Sequence, residues 1–187
     1  PVANPYYDPI NAPWEPPMVP GAPHPSAPGE SFLDTPVVNG TAYPYLEVEP
    51  KRYRFRILNA ANDRFFNLQL YVADSRWYGP GIERGTEVRM VPAVANARYP
   101  ETWPTDGREG GVPNPNYRGP TMIQVGTEGG FLPAPVPIPN QPITWNLDPT
   151  TFNFGNVQDH ALLLGPAERA DVIIDFSGMR IGSKIIL

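Results

Sequence analysis

The chain contains 187 residues, which allows one domain with a sizeable hydrophobic core but not two of ordinary size. Its net charge of −5 argues against a nucleic-acid-binding protein, because such proteins need basic surface to displace counterions from phosphates. The sequence has no cysteine, which excludes disulfides, thiolate metal sites and a cysteine nucleophile. No segment approaches the roughly 20 apolar residues of a membrane span, so we expect no membrane partner.

The first part of the chain is rich in proline, with ten prolines between Pro1 and Pro28. Proline fixes φ and lacks the amide donor, so this segment cannot enter a helix or the interior of a sheet. We interpret residues 1–31 as an interdomain linker and residues 32–187 as one folded domain. The sequence ends on the apolar run Ile185–Leu187, which is typical of the start of a strand. We therefore expect a fragment of a longer protein, whether made deliberately or by degradation.

Short strands separated by turns dominate the remainder. Tyr53, Phe55 and Ile57 alternate with Arg54 and Arg56, and this period of two predicts a strand with one buried face. Dipeptides that contain glycine or proline mark the turns between strands, and Asn39-Gly40 is the strongest of these turn signals. The predicted strands are Pro36–Asn39, Leu46–Val48, Tyr53–Leu58, Phe66–Val72, Glu87–Val91, Met122–Val125, Ala161–Leu164, Ala170–Phe176 and Ile185–Leu187.

Long loops connect these strands, and two of them are conspicuous. We predict a proline-rich loop at Pro133–Pro142, and residues 93–120 form an insertion too long for a plain connection. This insertion is either a proline-stiffened surface loop or a lid or contact to another subunit. Apart from a possible single turn near Ala60–Arg64, no stretch shows a helical period. The sequence therefore predicts an all-β fold, a Greek-key β-barrel or sandwich with long Pro/Gly-rich loops.

Three blocks of the sequence stand out, of which the first is Val38–Gly40 followed by Tyr53–Ala60, the second is Gln124–Leu132 and the third is Leu162–Phe176. Taken in this order, they resemble the multicopper oxidase family. The likeness is to the middle domain of the three-domain enzymes, especially the bacterial group of spore-coat laccase, bilirubin oxidase and phenoxazinone synthase. Glu128 stands where the family more commonly has Asp. The residues that carry the motifs are Asn39, Gly40, Arg54, Arg56, Asn59, Glu128, Gly129, Gly130, Glu168, Arg169 and Asp171.

The resemblance implies a cupredoxin-like fold and a parent enzyme that oxidises a substrate at one copper and reduces dioxygen at a trinuclear copper cluster. In that family the copper ligands come from the first and third domains. The partners implied for this chain are thus the flanking cupredoxin domains of the same polypeptide. The family also implies an extracytoplasmic or secreted location, whereas oligomeric state and substrate are left open.

The residues themselves argue against a copper site in this chain. A blue-copper centre needs two imidazoles and a thiolate, but the sequence has only His24 and His160 and no cysteine. We therefore expect no cofactor and no catalytic residue here, with copper confined to the parent protein. For His160 we expect a loop imidazole bound to a backbone carbonyl, the alternative being a copper-adjacent or substrate-binding role.

Other charged residues have a structural and a functional interpretation. Glu168 and Arg169 are either a corner at which the Arg fork bonds carbonyls or carboxylates, or a catalytic acid and its partner. Glu128 lies in a glycine-rich loop that resembles neither a phosphate cradle nor a dinucleotide fingerprint, and the functional interpretation for it is a place beside the substrate pocket of a neighbouring domain. The arginines of the Tyr53–Leu58 strand and its start (Arg52, Arg54 and Arg56) face Asp171 and Asp175, an adjoining domain, or solvent.

Two functional alternatives remain beside a non-catalytic middle domain. The first is a stand-alone β-sandwich that binds carbohydrate or protein through exposed aromatic residues such as Trp77, Tyr78 and Trp103. The second is a hydrolase, which we disfavour because no pairing of nucleophile and base stands out.

Overall fold

The computed structural model describes residues 2–4, 7–11, 13–14, 16–19, 35–76 and 84–187. Within these ranges the chain forms short β-strands and one 3₁₀ turn, with no α-helix, so the predicted all-β class is confirmed. It divides into two compact units, Pro1–Ala42 and Tyr43–Leu187. In the described part of the chain no helix has the length and apolar character needed to cross a bilayer.

The first unit contains two small strand pairs. Strand β1 (Val2–Ala3) pairs with β2 (Met18–Val19), a pairing that the proline-rich composition did not predict. Strand β3 (Val37–Val38) pairs with β4 (Thr41–Ala42) across a turn in which both central residues have positive φ, 51° at Asn39 and 80° at Gly40. Asn-Gly is the preferred dipeptide for this geometry, which confirms the predicted turn. The boundary proposed at residues 31 and 32 lies outside the described residues.

The second unit is built around a four-stranded antiparallel sheet. Its strands are β5 (Arg52–Leu58), β10 (Met122–Thr127), β11 (Gly130–Ile138) and β13 (Arg169–Asp175), and their order in the sheet is β11-β10-β13-β5. Strand β5 pairs with β13 in unbroken register from Arg52↔Asp175 to Leu58↔Arg169. The alternation predicted for β5 is confirmed, because Tyr53, Phe55 and Ile57 are partly buried whereas the intervening arginines are exposed.

Strand β11 corrects the prediction of a proline-rich loop at Pro133–Pro142, since the strand runs to Ile138. Proline is tolerated in a sheet when its missing donor faces away from the neighbouring strand, and alternate prolines at 133, 135 and 137 satisfy this on an edge strand. The same prolines leave the outer edge short of donors. The described sheets accordingly do not close into a barrel, which is consistent with the sandwich form of the predicted fold.

Short two-stranded pairings complete the second unit. The single strand predicted at Phe66–Val72 is wrong in its continuity, because Leu70 leaves the ladder: its N–H donates to the Asn140 side chain and its carbonyl accepts from Gly119 N–H. Residues 46–48 and 60–64 form neither the predicted strand nor a helical turn. The pairs are β6 (Phe66–Leu68) with β12 (Leu162–Leu164), β7 (Tyr71–Val72) with β14 (Ile185–Ile186), and β8 (Met90–Val91) with β9 (Val112–Pro113).

Two groups of buried apolar side chains form the core of this unit. Alternate residues of β13 supply the centre of the larger group, as the period of two predicts, and Val172 is fully buried there. The larger group contains Leu70, Met122, Leu162, Leu164, Ala170, Val172, Ile174 and Phe176. The smaller group contains Tyr71, Ala93, Trp103 and Val112.

The insertion at residues 93–120 is packed rather than projecting, because it supplies three of the four residues of the smaller core group. The Trp103 indole N–H donates to the Pro113 carbonyl at 3.0 Å, and the Arg118 guanidinium lies over the Trp103 ring. A 3₁₀ turn at Pro115–Tyr117 is capped by the Asn114 side chain. The insertion therefore belongs to the fold of the domain.

Candidate functional site

The second and third family blocks and the end of the first meet at one end of the four-stranded sheet. Strand β5 ends opposite the start of β13, where Leu58 pairs with Arg169, and the β10–β11 turn follows Thr127, which pairs with Ala170. This arrangement brings Asn59, Glu128, Glu168 and Arg169 together, and we refer to these four residues as the corner. Residues up to 110 positions apart in sequence thus converge through strand pairing.

Asn59 is the buried centre of the corner, with only 2% of its surface exposed. Its side-chain amide donates to the carbonyls of Arg64 at 2.7 Å and Leu164 at 2.9 Å. Its Oδ1 accepts from Ala61 N–H at 3.0 Å, which is an Asx turn. All three bonds go to backbone groups, so the side chain ties the loop after β5 to the end of β12.

Glu168 holds the tight connection between β12 and β13. Its Oε2 accepts from the Gly165 amide at 2.6 Å, and its own amide donates to the Gly165 carbonyl. Ala167, between them, adopts a φ of 68°, an unfavourable value for a residue with a side chain. Glu168 is exposed, yet one oxygen of its carboxylate is engaged in stabilising this strained turn.

Arg169 and Glu128 join the β10–β11 turn to β13. The Arg169 guanidinium lies 2.8 Å from Glu128 Oε2 and also donates to the Ala167 carbonyl at 2.9 Å. The Arg169 backbone amide donates to Glu128 Oε1 at 2.8 Å. One carboxylate thus receives a side-chain and a main-chain donor from the same residue. The Arg169 guanidinium thus bonds both a carboxylate and a backbone carbonyl, as the structural interpretation of Glu168-Arg169 predicts.

The turn that presents Glu128 depends on its glycines. Glu128 and Gly129 both have positive φ, 49° and 89°, so Gly129 relieves the strain at one of the two positions. Gly130 begins β11 and pairs with Thr127. Gly126, which precedes Thr127 in strand β10, leaves no room for a side chain, because an added Cβ would lie 2.7 Å from the Gly130 carbonyl oxygen.

Arginines of β5 pair with aspartates of β13 on the outer face of the sheet. Arg52 Nε donates to Asp175 at 2.7 Å, and Arg54 forms a two-bond contact with Asp171. The Arg54 hydrogen bonds lower the pKa of Asp171, with a smaller contribution from the charge of Arg56. Hydrogen bonds from Ser177 and from Arg52 lower the pKa of Asp175 to about 2. Of the alternatives for the three arginines, the structure shows the pairing with aspartate for Arg52 and Arg54.

The remaining predicted residues lie apart from the corner. Asn39 and Gly40 form the β3–β4 turn of the first unit. His160 is exposed and its Nδ1 lies 2.7 Å from the Ala161 carbonyl, the loop geometry expected for it. Across the described residues no group of three His, Cys, Asp or Glu side chains is placed to hold a metal ion. The side chains found here thus do not fit a copper centre.

Of the aromatic residues named for the binding-module alternative, only Trp103 lies within the described part of the chain. Trp103 is buried in the smaller core group with 4% of its surface exposed, so its prediction as a surface aromatic is wrong. The cause is the packing of the long insertion, which the irregular sequence did not reveal. Trp77 and Tyr78 lie outside the described residues.

Sequence reasoning missed a set of buried amide side chains that attach the loops to the strands. Asn140 accepts from Leu70 N–H and donates to the carbonyls of Gly119 and Pro120. Gln141 exchanges hydrogen bonds with both the hydroxyl and the carbonyl of Thr102. The available signal was the placement of two amide residues between prolines, Pro139-Asn140-Gln141-Pro142, within an otherwise apolar stretch.

The chemistry of the corner is that of a brace. Its carboxylates accept from backbone amides and one arginine, and its buried amide satisfies backbone carbonyls. A general acid or nucleophile must instead be free to reach a substrate. The geometry therefore supports rigid positioning of the strand ends rather than a reaction at these residues.

Comparison of the sequence with known proteins identifies the family to which the chain belongs. The chain is 30% identical to a laccase of Bacillus subtilis (strain 168) over 91% of its length, 37% identical to a laccase of Haloferax volcanii over 79%, and 31% identical to a laccase of Bacillus stratosphericus over 77%. It spans only 15% to 21% of the length of these relatives. No protein-family model matches the sequence. The three matches to laccases across most of the chain identify it as a domain of the multicopper oxidase family.

Proposed function

We propose that this chain is the non-catalytic middle domain of a multicopper oxidase. In this role it positions the copper-bearing first and third domains so that their shared copper cluster forms, and it lines one side of the substrate site. The parent protein would couple oxidation of a substrate to reduction of dioxygen, outside the cytoplasm. Its partners would be the flanking cupredoxin domains of the same polypeptide.

One observation carries the proposal: the chain matches laccases over most of its length yet contains two histidines and no cysteine. A blue-copper site requires two imidazoles and a thiolate, and a trinuclear site requires more imidazoles still. Copper chemistry in a parent protein must then depend on ligands from other segments. The contribution open to this chain is to hold the neighbouring domains in a fixed arrangement.

The corner gives that contribution a physical basis. Positioning is effective only on rigid elements, because a displacement of about 1 Å can cost about 100-fold in rate. At the corner, buried Asn59 and the Glu128–Arg169 pair fix three chain segments to one another. The outer face of the same sheet is cross-linked by Arg–Asp pairs. Such a domain can hold neighbours in a constant geometry.

The stand-alone binding module is not favoured. Its candidate Trp103 is buried, and the matches are to laccases over most of the chain. A binding module would also predict flanking sequence without copper-ligand motifs.

The test uses the longer protein with and without the Asn59→Ala substitution, with the exposed Asn116→Ala as the matched control. We expect N59A to lower dioxygen consumption and copper content while the blue absorption of the mononuclear copper persists, because the domain that holds that copper remains folded. N116A should behave like the unaltered protein. Retention of full copper content and dioxygen reduction in a demonstrably misfolded corner would contradict the positioning role.

Two simpler observations bear on the same proposal. The flanking sequence should contain His-x-His pairs and a downstream cysteine flanked by histidines. The chain by itself should show no blue absorption and no stoichiometric copper in elemental analysis. Tight binding of one copper ion per chain, or flanks without these motifs, would refute the proposal.

A further inference from the structure

The loop between β11 and β12 carries four large apolar side chains that remain substantially exposed. We call residues 143–158 the apolar loop. Phe152 is fully exposed, and Leu147, Phe154 and Trp145 are 69%, 55% and 46% exposed. Isolated exposed apolar residues are ordinary, but four within ten positions of one loop form a patch, and such patches mark interaction surfaces.

The apolar loop is held rigid by its own polar groups. Asn146 donates to Thr151 Oγ1 at 2.8 Å and to Asn153 Oδ1 at 2.9 Å, and its backbone exchanges hydrogen bonds with Gly155 and Asn156. At the base of the loop, the Thr144 hydroxyl donates to Asp159 at 2.6 Å. The polar groups thus bond to one another, while the four apolar side chains remain exposed. Preorganisation of this kind lowers the entropy lost on binding.

The charge of the apolar loop indicates the surface that it fits. Asp148 is its single charged residue, and the Asp148 carboxylate accepts from the amide and hydroxyl of Thr150. A charged partner surface would lose solvation against this loop and would find only Asp148, already hydrogen-bonded to Thr150, as a counter-charge. The complementary surface is therefore apolar, which is the character of permanent rather than transient interfaces.

The size of the patch distinguishes between possible occupants. With a large side chain contributing about 200 Å², the four exposed residues offer about 500 Å². A stable complex between separate molecules buries about 800 Å² on each partner, so the loop is too small to hold a second copy of the chain unaided. A segment of the same polypeptide needs less area, because covalent linkage provides an effective concentration of about 1 mM or more.

We propose that the apolar loop docks into an apolar surface of a flanking domain of the same polypeptide. This inference rests on the proposed function, since it names the contact through which the middle domain holds a neighbour. The chain spans 15% to 21% of the length of the three laccases that it matches, so the proposed parent has ample surface to supply the other side. Phe152 is the central contact because it is the most exposed of the four side chains.

The test is hydroxyl-radical footprinting of the purified longer protein, read by mass spectrometry at Phe152 and Phe154. Ile181 is the control, because it is 86% exposed and lies outside the loop. Docking should slow oxidation of the two phenylalanines by about tenfold relative to Ile181, since the contacts around interface anchors exclude water. Phe152→Ser should restore rapid oxidation at Phe154, whereas Ile181→Ser should leave it slow.

Each other outcome overturns the inference in a recognisable way. Rapid oxidation of Phe152 in a protein that keeps its copper and its dioxygen reduction refutes the docking contact while the proposed function stands. Protection that disappears on dilution identifies a second copy as the occupant. A natural protein without flanking domains removes the proposed function and this inference together.

Discussion

Arg54 and Asp171 meet diagonally across the β5–β13 ladder. Arg56 stands directly opposite Asp171, and Arg54 stands opposite Ile173, yet it is Arg54 that forms the two-bond contact. The Arg54 guanidinium also lies 5.7 Å from the Phe131 ring on β11. One side chain therefore spans β5, β13 and β11, which form the sheet with β10.

Replacement of Arg54 by leucine should lower stability modestly, and more at low than at high salt. The pair lies on the surface, where ion pairs contribute little and are screened by salt. The measurement is the urea midpoint at two ionic strengths. Arg180→Leu provides the control, since Arg180 is an exposed arginine outside the sheet. Equal shifts for both variants at both salt concentrations would argue against a specific Arg54–Asp171 contribution.

Acid should destabilise the domain through the paired aspartates. The pKa of Asp175 is lowered to about 2 in the folded state from an ordinary value of 3.8. A lowered pKa means that the folded state binds the proton more weakly, so the stabilisation is complete above pH 4 and is lost as pH falls toward 2. Asp175→Asn should flatten this part of the stability–pH curve. An NMR titration that gives Asp175 an ordinary pKa would refute the pairing.

Asn59→Ala should be strongly destabilising for a single polar substitution. It leaves the carbonyls of Arg64 and Leu164 and the amide of Ala61 without their partner, and an unsatisfied buried polar group costs about 1–3 kcal/mol. Chemical denaturation measures the change in the free energy of unfolding. The exposed Asn156→Ala should stay within about 0.5 kcal/mol of the unaltered protein. A similar small effect at Asn59 would mean that the corner is not a brace.

Gly111→Ala and Gly110→Ala should separate steric conflict from backbone strain. Both glycines have positive φ, 71° and 75°, but a Cβ at Gly111 would lie 2.2 Å from the Val91 carbonyl oxygen, whereas Gly110 has open space. We expect about 1–2 kcal/mol of destabilisation at Gly110 from the left-handed backbone alone. Gly111→Ala should cost clearly more, as thermal unfolding would show. Equal losses would indicate that the β8–β9 region relaxes freely.

Residue patterns alone predicted the strands with strict alternation. In β5 and β13 each second side chain is apolar, and a period of two specifies both the strand and its buried face. Asn39-Gly40 likewise specified its turn through the positive φ that it tolerates. Prolines misled the prediction at β11, because proline opposes pairing only on the side that needs a donor.

The tertiary structure decided what local sequence does not encode. Asn59, Glu128 and Glu168 are ordinary polar residues in sequence, and only the register of β5, β10 and β13 brings them to one corner. Trp103 is buried because residues 93–120 pack together and against Tyr71. Sequence by itself did determine the ligand inventory of two histidines and no cysteine, since composition does not depend on folding. Contacts between distant segments depend on strand register and packing, and neither is contained in a local pattern.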